Sequence, residues 1–432
     1  MRHNLLAAAL AAIIGSTSIS AFAATPEELA ELKAQIAALQ ARIVELEERT
    51  EAQSSINIGT QESLDKMSTT LPTVSTVGGL KVTSADKKFE AVVGGRIHFD
   101  AYAFDRDIAD VTGTSEFRRA RLTLAGKALG WEYKMEQDFS AGSNLDGMRD
   151  LFIAKNMAGG KVTIGSFKPY RSMEELTSSN EITMMERPFA SATGLYGGRQ
   201  YQQGVGYLRA DGNYTVGGAV FNLRSPSVSR NEGMGVAGRF TWAPINTADS
   251  TLHVGLSGSI ENANKGSANM SAAAAYAGRR GPSQTIATTT GASGDSVEVL
   301  GLELAGSFGA LYFQSEYAKA TFGQPLGRDQ DVDTFYVMGS WMLTGEHKPY
   351  KPGTGVFGSP KPGKSTGAWE LTARYDTIEN KDIANMKVAS TILGVNYYVN
   401  PHFRLMFNYT RGDNDYTGDG TNQYAIRTQW NY

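Results

Sequence analysis

From about residue 88 to its last residue, the chain alternates apolar and polar side chains in segments of about ten, separated by turn residues. The stretch EFRRARLTLAGKALGWEYKMEQDF (116–139) is representative: Arg119, Arg121, Thr123, Ala125 and Lys127 share one parity, Leu122, Leu124, Gly126 and Ala128 the other. Past Leu129-Gly130, Trp131, Tyr133 and Met135 oppose Glu132, Lys134 and Glu136. A period of two is the signature of a strand, and the Leu-Gly pair makes this stretch a hairpin. Sixteen such strands are read, starting near residues 89, 115, 131, 148, 161, 199, 213, 232, 250, 296, 310, 334, 367, 386, 403 and 421. Apolar faces such as Leu300-Leu302-Leu304 and Phe403-Leu405-Phe407-Tyr409 stand against polar ones such as Arg96-His98-Asp100 and Glu370-Thr372-Arg374-Asp376.

A sheet of this size with one apolar face has to bury that face and pair its edges. Closing it into a barrel in a membrane does both, because lipid leaves no backbone group unpaired. The fold class expected is therefore all-β: a sixteen-stranded antiparallel transmembrane β-barrel, preceded by a short α-helical coiled coil. Leu122, Leu124, Trp131 and Tyr133 then face lipid, and Arg119, Arg121, Lys127 and Lys134 face the interior. The reverse register would set cations against hydrocarbon at about 2–4 kcal/mol each near the midplane. Arg118 has the wrong parity for an inward residue and is expected at the rim or beside a bulge. The last strand ends Trp430-Asn431-Tyr432. It resembles the terminal strand of bacterial outer-membrane barrels, which implies an assembly signal at Trp430 and Tyr432, read by the barrel-assembly machinery.

The N-terminal 79 residues divide differently. Arg2 and His3, the run LLAAALAAIIG and Ala21-Phe22-Ala23 read as a signal peptide over 1–23. Residues 24–50 read as a periplasmic coiled coil: Leu29, Leu32, Ile36, Leu39, Ile43 and Leu46 are spaced 3, 4, 3, 4, 3. Thr25-Pro26-Glu27-Glu28 supplies its helix start. Residues 51–79, rich in Ser, Thr and Gly, read as a linker, and 80–432 as the barrel. The chain has no cysteine, which excludes disulfides, Cys-ligated metals and thiol nucleophiles. Its five histidines (His3, His98, His253, His347 and His402) show no metal spacing and no triad, so neither an enzyme nor a bound cofactor is expected. A net charge of −3 over 432 residues argues against a nucleic-acid partner.

The tracts FRRARLTLAGK, WEYKMEQDFSAG, IGSFKPYRSMEELTSSNEITMMERPFA and WELTARYD carry a resemblance to the phosphate-selective porins O and P over roughly residues 80–432. The resemblance implies a homotrimer in outer-membrane lipid and lipopolysaccharide, each barrel narrowed by its third external loop. It matches Arg118 and Arg119 to paired arginines at the constriction, Asp150 to a lumen carboxylate, and Ser178 and Ser179 to hydroxyls beside an anion site. Lys348, Lys351, Lys361 and Lys364 match a periplasmic basic cluster. Arg121 stands where selective members carry an aromatic residue, and Glu174-Glu175 where they carry a lysine. These departures predict a mixed-charge constriction, and passive diffusion of small hydrophilic or anionic solutes with weak to moderate anion preference. A phosphate- or polyphosphate-specific channel is the alternative. A second alternative, of another class, is an envelope tether or adhesin that uses the barrel as an anchor and the coil to reach peptidoglycan.

Overall fold

The computed structural model describes residues 25–432 except 77–78, 142–146, 196–199, 225–230 and 265–268; the expected signal peptide lies outside the described residues. The described chain forms two units, 25–71 and 72–432.

The first unit is one helix, α1 (Pro26–Thr70). Its start is a capping box: the Thr25 hydroxyl accepts from Glu28 N, and the Glu28 carboxylate accepts from Thr25 N. The helix passes straight through residues 51–70, which the sequence reading assigned to a linker. Ser and Thr in this part keep helical geometry by returning their hydroxyls to the preceding turn, as Thr60 does to Ile56 O and Ser63 to Gly59 O. The 3–4 spacing also continues unbroken from Leu46 through Thr50, Gln53, Asn57, Thr60, Leu64 and Met67 to Leu71. Four polar seam positions hid the continuation. No residue of α1 is buried within one chain, and the seam from Leu29 to Leu46 is 48–61% exposed.

The second unit is the barrel. Two short strands, β1 (Thr73–Ser75) and β2 (Leu80–Thr83), pair with each other, and β2 with the wall. The wall strands are β3 (Phe89–Asp105), β4 (Thr114–Ala128), β5 (Trp131–Asp138), β6 (Met148–Met157), β7 (Gly160–Phe167), β8 (Gln202–Asp211), β9 (Tyr214–Arg224), β10 (Asn231–Asn246) and β11 (Ser250–Ala263). After the loop hairpin β12 (Ser271–Ala275) and β13 (Ser283–Thr288) come wall strands β14 (Ser296–Phe308), β15 (Leu311–Gly323) and β16 (Gln330–Met342). The inner-end pair β17 (Tyr350–Lys351) and β18 (Val356–Phe357) precedes the last wall strands, β19 (Ala368–Asn380), β20 (Lys387–Asn400), β21 (Phe403–Asn414) and β22 (Asp419–Asn431). Each wall strand pairs antiparallel with the next, and β22 returns to β3 from Asn422↔Asp105 to Asn431↔Arg96, so the sixteen-stranded sheet closes.

Parity sorts the wall as expected. Outward Leu122, Val205, Leu256, Leu302, Leu393 and Ile426 are 44–56% exposed, whereas inward His98, Asp100, Arg119, Arg121, Arg374 and Arg427 are 8% or less. An apolar outside around a charged inside is the reverse of a water-soluble fold. Arg118 sits at a bulge: His98 pairs with Arg119 and Phe99 with Phe117, so Arg118 has no cross-strand partner. The extra residue lets two consecutive arginines face inward. Gly95 has a different task. The Tyr432 ring lies against it, so that a Cβ there would stand 2.5 Å from the phenol oxygen. Tyr432 and Gly95 also exchange backbone hydrogen bonds of 3.0 and 3.1 Å, which seal the end of the chain onto β3.

Three segments fold inward. The third loop, described over 168–195 and 200–201, carries two helical turns, α2 (Met173–Leu176) and α3 (Phe189–Ala192), and rests on the wall through its described residues. Buried loop backbone needs partners, and wall side chains supply them. Glu316 accepts from Met173 N and Glu174 N, Asn408 from Met185 N, and Asp376 from Phe189 N, at 2.9–3.1 Å. Arg404 and Asn396 donate to Ile182 O and Thr183 O. At the short-turn end, residues 343–367 fold back against the barrel interior. Arg239 donates to Thr354 O and Gly355 O, and Phe357 packs on Tyr350, Tyr312 and His253. At the opposite end the β12–β13 hairpin packs Ala272, Ala274 and Ile286 into a cluster with Phe189, Val297 and Ile378.

Candidate functional site: the neck of the barrel lumen

Two cavities lie inside the barrel and share Arg121, Arg187 and Gln200 in their linings. The outer one, about 390 Å³, reaches Ala275 and Arg279 of the fifth loop. The inner one, about 220 Å³, is bordered by Arg96, Lys134, Lys168, Ser178, Ser179 and Tyr201. The shared residues form the neck between them.

Both cavities are basic. Arg118, Arg119, Arg121, Arg149, Arg171, Arg187, Arg279 and Arg374 border the outer one, against the carboxylates Glu175 and Glu186. The inner one sets Arg96, Arg121, Lys134, Lys168 and Arg187 against Glu136 and Asp150. Each of these carboxylates is engaged. Glu186 holds Arg118 through two hydrogen bonds and Arg427 through a third, at 2.7–2.9 Å. Glu136 takes Arg96 at 3.0 Å and Arg121 at 2.7 Å; Asp150 takes Lys134; Glu175 lies 3.5 Å from Arg171. Among the described residues, Arg119, Lys168 and Arg187 have no carboxylate within ion-pair distance. Arg119 reaches only the His98 ring, while Lys168 and Arg187 donate to the carbonyls of Glu174, Glu175 and Thr177. Burial, with Arg187 beside it, pushes the Lys168 ammonium well below the ordinary lysine range. Burial drives the Glu186 carboxyl up, but Arg118 and Arg119 outweigh it and hold the group well below the usual carboxylate range.

The sequence-selected residues are placed as follows. Arg118, Arg119 and Arg121 meet in the outer cavity; Lys134, Asp150, Ser178 and Ser179 meet in the inner one. The Arg96 guanidinium donates to both serine hydroxyls, at 3.4 and 2.9 Å. Arg121 is also wall structure, tied to Glu136 and to Asp138 at 2.8 Å on the neighbouring strand. Lys127 is exposed and borders neither cavity. Glu174, expected to make the constriction acidic, borders neither cavity; it is 3% exposed and accepts from Gln314. Glu175 reaches only the outer cavity, against Arg171. The four lysines of the 343–367 segment separate. Lys348 is buried on Glu370 and Thr183, and Lys351 pairs with Glu181, while Lys361 and Lys364 project from the turn. Trp430 lies against Tyr432, ring centres 4.8 Å apart.

Sequence reasoning missed Arg187 and Gln200 at the neck and Lys168 and Tyr201 in the inner cavity. Lys168 and Arg187 lie inside the tract already singled out, near its two ends, and those basic residues were the available signal. Among the described residues no group of His, Asp and Glu is placed to hold a metal.

A closed sixteen-stranded barrel, apolar outside and charged within, narrowed by its third loop, is an outer-membrane porin: a channel. This chain belongs to the phosphate-selective porin O and P family, which matches residues 92–432. Porin O of Pseudomonas aeruginosa is 28% identical over 386 residues, covering 79% of this chain and 87% of that protein. The fold is similar to that of the anion-selective porin from Comamonas acidovorans, with a TM-score of 0.54, 13% identity and coverage of 79% and 99%. It is also similar to the outer membrane channel DcaP of Acinetobacter baumannii, with a TM-score of 0.50, 12% identity and coverage of 80% and 97%.

Proposed function

We propose that the protein is a homotrimeric porin for passive diffusion of small hydrophilic solutes, with a preference for anions set at the neck of each barrel. One observation carries the reading: Arg119, Lys168 and Arg187 border the passage without carboxylate partners among the described residues. A fixed cation at about 5 Å from a passing ion is worth roughly 1 kcal/mol even at the dielectric constant of water. Arg119 and Arg187 together favour anions and repel cations in a narrow, partly desolvated passage, and Lys168 adds to them whenever it is protonated. The relatives support the reading, since one is named Porin O and one solved neighbour is described as anion-selective. The α1 helices are proposed to join three copies in the periplasm through their exposed seams.

The test is the reversal potential of the purified protein in planar bilayers under a KCl gradient, with conductance appearing in steps of three. A potential of the cation-selective sign would overturn the anion preference. Single unrelated steps would overturn the trimer. The phosphate-specific reading draws on the convergence of Arg96, Ser178, Ser179 and Lys168 around the inner cavity. It requires submillimolar phosphate to block the chloride current, and absence of block at that concentration removes it.

A further inference from the structure

The inner cavity is bordered by the neutral donors Ser178, Ser179, Gln200 and Tyr201, by five cationic side chains and by the ion-paired Glu136 and Asp150. Tyr201 borders that cavity together with Arg121, Lys168 and Arg187. Its phenol oxygen accepts from Arg121 Nη1 at 3.5 Å. No acceptor for its own hydroxyl hydrogen is found among the described residues. The ring is held by charge: the Lys168 ammonium lies 5.6 Å from its centroid and the Arg149 guanidinium 5.9 Å. Cation–ring contacts of this kind fix an aromatic side chain without consuming its hydroxyl. The hydroxyl is thus a positioned donor at a cavity whose bordering carboxylates, Glu136 and Asp150, are held by their own cationic partners.

We propose that the Tyr201 hydroxyl makes the neck discriminate oxyanions from halides; the inference rests on the anion-channel reading above. A tetrahedral or planar oxyanion has several oxygens. It can engage the cations with two of them while a third accepts the phenol hydrogen. A halide is a single centre and cannot span the same donors. Its lower basicity also makes it the weaker acceptor in a charge-assisted hydrogen bond. The cations supply attraction for any anion, and the phenol adds selectivity among anions.

Tyr201→Phe tests this, because it keeps the ring and its cation contacts and removes one hydroxyl. The probe is inorganic phosphate, titrated against the chloride current of the purified protein in planar bilayers. The half-blocking phosphate concentration is expected to rise roughly ten- to a hundredfold in the variant, the usual cost of losing a hydrogen bond to a charged group. A half-blocking concentration within twofold of wild type would overturn the role of Tyr201. So would a wild-type channel that is anion-selective in KCl yet never blocked by phosphate. A cation-selective wild-type reversal potential would overturn the underlying channel reading, a result separable from both.

Discussion

Arg118 Nε and Nη2 donate to the two oxygens of Glu186 at 2.7 and 2.9 Å, tying the third loop to a bulge in the wall. The pairing depends on the extra residue in β4, since without it Arg118 would point into lipid. Arg427 on the closing strand donates to the same carboxylate at 2.9 Å. Glu186→Gln leaves the shape and removes the charge. The loop then loses roughly 1.5–3 kcal/mol of anchoring. Single-channel recordings should become noisier, and the heat-resistant form should dissociate at a lower temperature. Recordings indistinguishable from wild type would show that the loop is held elsewhere.

The same carboxylate sets an acid threshold. Burial raises its pKa, but Arg118 and Arg119 lower it further, and the net position is well below 4.5. A group depressed in the folded state stabilises fully above its ordinary pKa and stops doing so only as pH falls through the depressed value. The part of the conductance and noise that Glu186 controls, read as the difference between wild type and Glu186→Gln, should therefore be constant from neutrality down to pH 4.5, an ordinary glutamate's midpoint, and change only in stronger acid. A transition between pH 4.5 and 6 that disappears in Glu186→Gln would contradict the assignment.

Charge at the neck should control ion preference. Arg187→Glu moves the local charge by two units, worth roughly 2 kcal/mol at about 5 Å, and Lys168→Glu does the same where the lysine is protonated. Each should lower the anion-to-cation permeability ratio by about tenfold or more, read from the reversal potential. Glu174→Gln should leave that ratio almost unchanged, because its side chain faces Gln314 and neither cavity. A strong effect of Glu174→Gln would restore the mixed-charge constriction expected from sequence.

The seam of α1 gives a third class of test. Ile36→Asp and Leu64→Asp both put a charge on the 3–4 stripe, one in the first half and one beyond the polar positions. Both should lower the dissociation temperature of the trimer. If residues 51–70 are only a spacer, Leu64→Asp should be silent. Deleting 26–70 separates assembly from tethering: trimers that fall apart indicate assembly, while intact solute flux with altered envelope cohesion indicates a tether.

Closure depends on Gly95. A Cβ there would collide with the Arg121 carbonyl oxygen as well as the Tyr432 phenol. Gly95→Val should abolish the heat-resistant, β-rich form on refolding in detergent, whereas Val93→Ala, two residues away on the same face, should not.

Much of the barrel was legible because hydrocarbon and water impose one rule on every strand. Once Leu122 and Leu124 are assigned to lipid, Arg119 and Arg121 follow inward with no knowledge of their partners. The N-terminal helix was half legible. Its apolar heptads up to Leu46 were visible, but the seam through Thr50, Gln53, Asn57 and Thr60 carries no hydrophobic signal, although the spacing never breaks. The neck was the least legible part. The loop between Lys168 and Tyr201 follows no period, and its side chains point where the wall has a partner for them.

The sequence alone determined the number of strands, the face that regular strand residues take and the membrane class, because parity on a lipid-facing strand is a local property. Only the tertiary structure decided which charges remain available to a passing ion. Glu174 and Glu175 are drawn aside by Gln314 on the distant wall and by Arg171, while Lys168 in the inner cavity and Arg187 at the neck find only carbonyl oxygens and no compensating carboxylate among the described residues. Charge compensation is a matter of spatial neighbours, and for Glu174 that neighbour is 140 residues away along the chain.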